Sequence, residues 1–532
     1  MKKEIKPNSI DKIVSYFSPE KGVKRYRSRM ALAAANAYVG ASRSLRSFSG
    51  YNPGMVSPDD ALKYDRQTML DRHHELDRNH PIVSGILNDN CMNIVGAGLS
   101  FQSRIDADFL GLTDEQAEAL ETNIEREWRL FSESPDCDLA RINNFADMQE
   151  LALRQVFACE AFGVLSFKER PGNPYALKIQ LVEPERVCNE SNKADGNLEG
   201  GNRLYEGIET DKDGAPVRYH ICSDFPTRSN RTTLTWTKIP AFAANTGLRN
   251  VLHVYKQRRP GQSRGVPYLS AVVEPLHSLG KYSKAELDAA VISSFFSVFL
   301  RSELPETALE RYAEQKITSG AAANGSTTDI KLAPGAIIGL DPTDRIEFAN
   351  PTRPNGNYSP FVEEIMGQIG MALGVPKEVM RKYYSSSYSA AYASINDAWR
   401  FYKTYRTWFV RSFCQPIFNT FMYEAVARGR ISAPGFFDDP LIRAAYCAGE
   451  WVGPTKSHLN PVDEANAIKI RTETGVTTLA HETAEFNGGQ IERNMRQIKK
   501  ETAMKKNAGL TIEQKPVEPT QKPAQGEKNV PD

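Results

Sequence analysis

Residues 361–428 read FVEEIMGQIGMALGVPKEVMRKYYSSSYSAAYASINDAWRFYKTYRTWFVRSFCQPIFNTFMYEAVAR. Phe361, Ile365, Ile369 and Leu373 recur every four residues and therefore share one face of a helix. Gly374 and Pro376 end it, because glycine accepts the left-handed cap and proline cannot continue the hydrogen-bond ladder. A second, longer helix is predicted from near Ala390, with Ala391, Ile395, Ala398, Tyr402, Tyr405, Phe409 and Phe413 at alternating steps of three and four. Its other face carries Arg400, Lys403, Arg406 and Arg411. Pro416 should kink it before it continues through Phe418, Phe421 and Met422. Between the two helices lies a tight basic segment, residues 375–389, with Lys377, Arg381, Lys382, Tyr383, Tyr384 and Tyr388 against a single acid, Glu378. On this stretch alone the plainer reading is an ordinary helical hairpin in a soluble core.

The whole chain has 532 residues, too many for one simple core, so several subdomains are expected. Its 66 basic and 65 acidic residues nearly cancel, which excludes a protein that wraps nucleic acid by bulk charge and confines any such contact to a local surface. A content of 40% hydrophobic and 25% charged residues is that of a globular protein. No run approaches the ~18 apolar residues that would cross a bilayer, so no membrane partner is expected. Met1-Lys2-Lys3-Glu4 is followed by no hydrophobic core of a secretion signal. The seven cysteines lack C-x-x-C spacing, which points to a reducing compartment and away from a zinc knuckle.

Along the chain, residues 1–50 are basic and rich in Arg, Ser and Ala, and are expected to order only against a partner. Ser57-Pro58-Asp59-Asp60 predicts a helix start, running to about Arg78. A second helix should begin at Asn79 and Pro81 and end in Gly96-Ala97-Gly98. An acidic third should follow Thr113 to near Ser132, and a fourth should span residues 145–157. Strand and turn signals then take over. Residues 164–167 and 177–181 flank a turn at Arg170-Pro171-Gly172, residues 207–210 and 217–221 flank Asp213-Gly214, and residues 251–255 close the region. A long helix is predicted over 267–301, kinked near Pro275, with Leu279, Leu287, Val291, Phe295 and Val298 on one stripe. Residues 303–358 hold the least helix, with short strands expected at 330–332, 336–340 and 345–348. Further helices are expected at 461–474, 477–485 and 489–504, before a Pro-, Gln-, Lys- and Glu-rich disordered tail from Asn507.

Catalytic chemistry finds no support. His73, His74 and His80 cluster without H-E-x-x-H, and Glu75 and Asp77 beside them fit a solvated helix face. No phosphate loop, nucleophile elbow or dinucleotide fingerprint is present. No catalytic residue, cofactor or metal is therefore expected, and the chemistry of the basic segment is electrostatic.

Taken together these stretches resemble the lambda-like portal proteins of tailed bacteriophages, over about residues 51–504. The resemblance rests on Asp71-Arg72 through Pro81, on Asn93-Ile94-Val95-Gly96-Ala97-Gly98, and on residues 136–145. Its most specific part is His253-Val254-Tyr255 followed by Arg259-Pro260-Gly261-Gln262-Ser263-Arg264-Gly265-Val266-Pro267. Leu373-Gly374-Val375-Pro376 with Tyr388-Ser389 and Ala393-Ser394 adds to it, as do Trp451, Gly453-Pro454 and Asn460-Pro461. In that last segment Asn460 stands where an aspartate is common, and Asp463 where a lysine is.

The resemblance implies an α+β, mainly helical portal fold assembling into a homo-oligomeric ring of about twelve subunits. The ring would sit at one capsid vertex of the virion, after assembly in the host cytoplasm. Double-stranded DNA would pass through its channel during packaging and ejection. The terminase large subunit, the major capsid protein and the head-tail connector protein are the further partners implied. The implied parts are a basic arm (1–50), a β-rich wing (51–266), stem helices (267–302 and 359–374), a clip (303–358), a tunnel loop (375–389), a long helix toward the crown (390–433), crown helices (434–506) and a tail (507–532). Lys377, Arg381, Lys382, Tyr383 and Tyr384 would face DNA in the channel. The alternative is a DNA-clamping or capsid-associated structural protein that is not a portal.

Overall fold

The computed structural model describes residues 7–35, 40, 45–227, 233–294, 298–301, 345–348, 357–384, 387–456 and 461–508. The chain divides into two compact units, residues 1–61 and 62–532. In the first, helices α1 (Ser9–Phe17) and α2 (Pro19–Ala35) pair as a hairpin. Asn8 and Asp11 form a reciprocal capping box at its start. Asp11 is buried and holds Arg25 and Arg29 of α2. The arm expected to order only against a partner thus contains local helical structure, closed by an ion pair that composition does not reveal.

In the second unit, α3 (Arg66–Asn79) begins later than the Ser57 cap suggests. The Ser57 hydroxyl does accept the Asp60 backbone N–H, but residues 58–65 stay as turns. The next three helices follow their sequence signals. They are α4 (Pro81–Ile94) with proline at its start, α6 (Asp114–Ser132) with a Thr113–Gln116 capping box, and α7 (Phe145–Ala158) capped by Asn144. Between α4 and α6 lie strand β1 (Ser100–Ser103) and a single turn, α5 (Ala107–Leu110).

The β-rich region is two antiparallel sheets. Strands β2 (Ala161–Phe167), β3 (Leu177–Val182) and β9 (Val251–Val254) form one, in the order β3-β2-β9. The other is a meander of β4 (Gly196–Asn197), β5 (Arg203–Tyr205), β6 (Ile208–Thr210), β7 (Pro216–Cys222) and β8 (Trp236–Pro240). Phe162, Val164, Val187, Ile208, Tyr219 and Val251 pack a small core of their own for this region.

The helix expected over 267–301 is shorter and broken elsewhere. A 3-10 turn at Tyr268–Ala271 precedes α8 (Val273–Ser294), and the break falls at Val272. Pro275 sits in the first turn of α8, where its missing N–H would have had no helical partner, so it bends nothing. Residues 298–301 are not helical but form β10 (Val298–Arg301), antiparallel to β11 (Arg345–Phe348). The strands expected at 330–332 and 336–340 lie outside the described residues, as does most of 303–358. Next come α9 (Tyr358–Leu373), α10 (Lys377–Arg381) and α11 (Tyr388–Phe409). At the expected kink, a π-helical turn at Val410–Cys414 leads into α12 (Gln415–Ala427), with Pro416 in its first turn. Such a turn makes room where the proline nitrogen cannot donate, and it is a place where helices bend. After α13 (Pro440–Tyr446), strand β12 (Gly449–Val452) pairs with β1, placing Phe101 opposite Trp451. Helices α14 (Pro461–Glu473), α15 (Leu479–Asn487) and α16 (Ile491–Asn507) end the described chain.

The main core is aromatic. Trp128 of α6 meets Phe421 of α12 at 5.1 Å, Phe145 of α7 at 5.1 Å and Trp451 of β12 at 5.8 Å between ring centroids. At the edge of this unit His73 of α3 is buried. Burial pushes its imidazole down to about 4, aided by His74 and Arg154 and opposed by Asp77. The folded chain therefore holds His73 neutral, while the unfolded chain protonates it near 6.5. Between those values the unfolded state binds more protons, so stability falls with falling pH. Comparing denaturant midpoints at about pH 7 and about pH 5 should show a loss roughly 2 kcal/mol larger in wild type than in His73→Gln.

Candidate DNA-facing segment

The basic stretch is set by how α9 ends. Gly374 takes the left-handed cap at φ 74°, and at Gly370 a Cβ would come within 3.0 Å of the Val375 carbonyl. The chain thus turns tightly, and Pro376 opens α10. Within the segment the sequence suggests as a loop, Lys377–Arg381 form a one-turn helix, closed at Lys382, which is left-handed at φ 52° and donates its N–H to the Val379 carbonyl at 3.2 Å.

Each of the three predicted cations has a carboxylate. Arg381 lies 2.8 Å and Lys377 3.9 Å from Glu363 of α9, and Lys382 lies 2.8 Å from Asp89 of α4. The hydrogen bond from Arg381 holds the Glu363 carboxyl below its usual range. With Glu378 on α10 itself, the local positive excess read from the sequence is balanced within one subunit. Tyr383, Tyr384 and Tyr388 are exposed, with the Arg381 guanidinium 5.6 Å from the Tyr383 ring. The two pairs to Glu363 are open enough to water to be worth about 0–1 kcal/mol each, whereas Asp89 is more enclosed. Glu363 and Asp89 escaped sequence reasoning. Asp89 is almost 300 residues distant, and Glu363 meets Arg381 only once α9 and α10 fold back together.

The Arg259–Gly265 stretch serves a different purpose. Arg264 is 0% exposed. Its guanidinium meets Glu160 at 2.7 Å and donates to the Val187 and Pro184 carbonyls at 2.9 Å each. Glu160 also accepts the Gly265 N–H at 2.8 Å and the His253 Nε2–H at 2.7 Å, and lies 3.4 Å from Arg66 of α3. Burial would raise the Glu160 carboxyl, but Arg264, His253 and Arg66 hold it far below the ordinary range. Burial in turn keeps His253 below its usual value, so it is neutral and, facing a carboxylate, carries its proton on Nε2. Gln262 straps the loop: its amide oxygen accepts the Arg258 N–H at 2.9 Å and its amide nitrogen donates to the Arg264 carbonyl at 2.7 Å. A Cβ at Gly265 would collide with the Cys159 carbonyl. The stretch is a brace joining α3, the residues that follow α7, the chain after β3, strand β9 and Glu206 between β5 and β6.

Comparison with known proteins bears on which molecules share this arrangement. A family model for phage portal proteins of the lambda family matches residues 44–406, more than half of the chain and both sets of residues just described. The chain belongs to the lambda family of phage portal proteins. Portal protein B of Escherichia phage lambda is 24% identical over 499 residues, covering 88% of this chain and 92% of that one. The portal protein of Escherichia phage N15 is 24% identical over 480 residues, covering 87% and 88%. Among solved structures, a chain from the virion of a native gene transfer agent particle gives a TM-score of 0.41 at 12% identity, covering 82% of this chain and 96% of that one. A chain from the neck of that particle, computed with C12 symmetry, also scores 0.41 at 12% identity, covering 80% and 94%.

The function is accordingly that of a phage portal protein. Two of the stretches that carry the portal resemblance also meet in space. Arg406 of α11 donates to the carbonyls of Asn93 and Ile94 at the end of α4, and to that of Pro454, each at 2.8 Å. It caps the negative end of α4. Burial brings its guanidinium down to about 10. The sequence places Arg406 on the face away from the apolar residues of its helix, with Arg400, Lys403 and Arg411, and the periodicity holds no sign that a carbonyl cage awaits it. Among the described residues no cluster of His, Cys, Asp or Glu is arranged to hold a metal, and no helix is long and apolar enough to cross a membrane.

Proposed function

We propose that this portal chain forms a closed ring of about twelve copies at one capsid vertex, with residues 375–389 lining the channel through which double-stranded DNA enters and leaves. Lys377, Arg381, Lys382, Tyr383 and Tyr384 meet the DNA or the neighbouring copy at that level. Residues 303–358 dock the terminase large subunit and later the head-tail connector, and the wing meets the major capsid protein. The chain acts in the virion after assembly in the host cytoplasm, and it performs no catalysis.

The observation that supports the ring is apolar surface a single subunit leaves uncovered. Leu287 of α8 and Phe361 and Met371 of α9 are exposed, as are Tyr388 and Tyr392 of α11. Exposed apolar side chains on these helices support contact with another chain, and head-to-tail contacts that close by rotation give rings. Native mass measurement at micromolar concentration should show one closed species of about twelve copies, with a central hole in electron micrographs. Monomer or dimer alone would remove the reading.

A further inference from the structure

Helix α16 is joined to its subunit by polar contacts rather than by burial. No residue of the helix is buried, and Met495, Ile498 and Met504 are each more than half exposed. Helix α15 before it is anchored differently: Ala484 and Glu482 are buried, and Glu482 holds Arg471 of α14 at 2.8 Å. Between the two helices stand Gly488, left-handed at φ 71°, and Gly489. Two successive glycines let the chain pivot there at low steric cost.

The ties of α16 run to α6 and to the chain around the end of β1. Glu118, Glu121 and Glu125 recur at three and four residues and form one acidic stripe on α6. Part of that stripe is fixed without α16, because Glu125 accepts the Ser103 N–H at 3.1 Å and Glu121 the Ile105 N–H at 3.0 Å. Against it α16 places Arg496, 2.6 Å from Glu118, and its leading residue Gln490 donates to Glu125 at 3.0 Å. Glu492 meets Arg104 at 3.2 Å, and the Gly489 carbonyl accepts from Gln102 at 3.3 Å. Among the described residues, no hydrogen bond or ion pair ties residues 497–507 to the rest of the subunit. Both ion pairs join side chains that are 37% to 59% exposed, where such pairs contribute little and weaken with salt.

The start of α16 also helps to close a cavity of about 560 Å³. Gly489, Gln490 and Asn494 line it together with Phe101, Trp128 and Phe145. We propose that α16 is a strap held shut by charge, which pivots at Gly488-Gly489 as ionic strength rises and uncovers this aromatic-lined cavity. The rest of the subunit stays folded, since lifting α16 removes no buried residue from the core. A helix fixed by apolar packing would keep its place in salt, because burial is not screened.

Hydrogen exchange on the full chain tests the strap. Raising sodium chloride from about 50 mM to about 1 M should speed exchange of the α16 amides by about tenfold or more, with α6 and α15 unchanged. Binding of an apolar dye should rise over the same salt range. Arg496→Glu should loosen α16 already at low salt, and adding Glu118→Lys should restore its protection, which a merely structural role for either side chain would not do. Exchange of α16 that ignores both salt and Arg496→Glu would overturn the strap and show that another surface, such as a neighbouring copy, holds the helix. Fast exchange at every salt concentration would overturn it as well, since no closed state would then exist. Loosening of α6 together with α16 would reveal general unfolding instead of a pivot, and a freed helix without added dye binding would overturn the opening of the cavity.

Discussion

Replacing Arg264 by methionine is expected to destabilise the chain by about 3–5 kcal/mol, because it leaves a fully buried carboxylate without its main partner. Glu160 is 0% exposed, and among the described residues Arg66, at 3.4 Å, is the other Lys or Arg within ion-pair distance of it. His253 is neutral and can offer a hydrogen bond but no charge. The same substitution strips the Val187 and Pro184 carbonyls of their donors, and a buried acceptor left unpaired costs about 1–3 kcal/mol more. Urea unfolding should show a lower midpoint at an unchanged slope. Arg258→Met, at an exposed side chain of the same loop, should change stability by less than about 0.5 kcal/mol. A loss below about 1 kcal/mol for Arg264→Met would show that water reaches Glu160 and that the brace is not closed.

That brace also shows where sequence reasoning stops. Local signals are legible when the cause is local: Thr113 with Gln116 starts α6, Gly374 ends α9, and Pro81 starts α4. The turn at Arg170-Pro171-Gly172 between two strand-like runs places β2 against β3, and Asp213-Gly214 places β6 against β7. Strands β1 and β12 carry no such signal, since four residues hold too few alternations and their partner is about 350 positions away. The π-helical turn before Pro416 is likewise invisible, because proline marks only that a bond is lost and not how the helix makes room. At the candidate DNA-facing segment the cations were legible and their carboxylates were not. A count of Lys and Arg in a window registers charge in sequence, whereas Glu363 and Asp89 supply it in space.

Those carboxylates sharpen what substitution of the segment should do. Replacing Lys377, Arg381 and Lys382 together by alanine is expected to leave folding and ring formation intact, since the three side chains are partly or largely exposed and none lies in the core. Exposed pairs of this kind contribute about 0–1 kcal/mol each, so the subunit loses little. DNA packaged or retained should fall, and its dependence on salt should flatten, because each phosphate contact releases condensed counterions. The opposite change isolates electrostatics from shape. Glu363→Gln with Asp89→Asn removes the internal competitors and leaves all three cations in place. Retention should then exceed wild type at low salt and converge on it as salt rises. A grip made too strong should also slow packaging, so the two readouts are expected to move in opposite directions in this variant. Unchanged retention in both variants across the salt series would take residues 377–382 out of the DNA path, and with them the charge lining proposed for the channel.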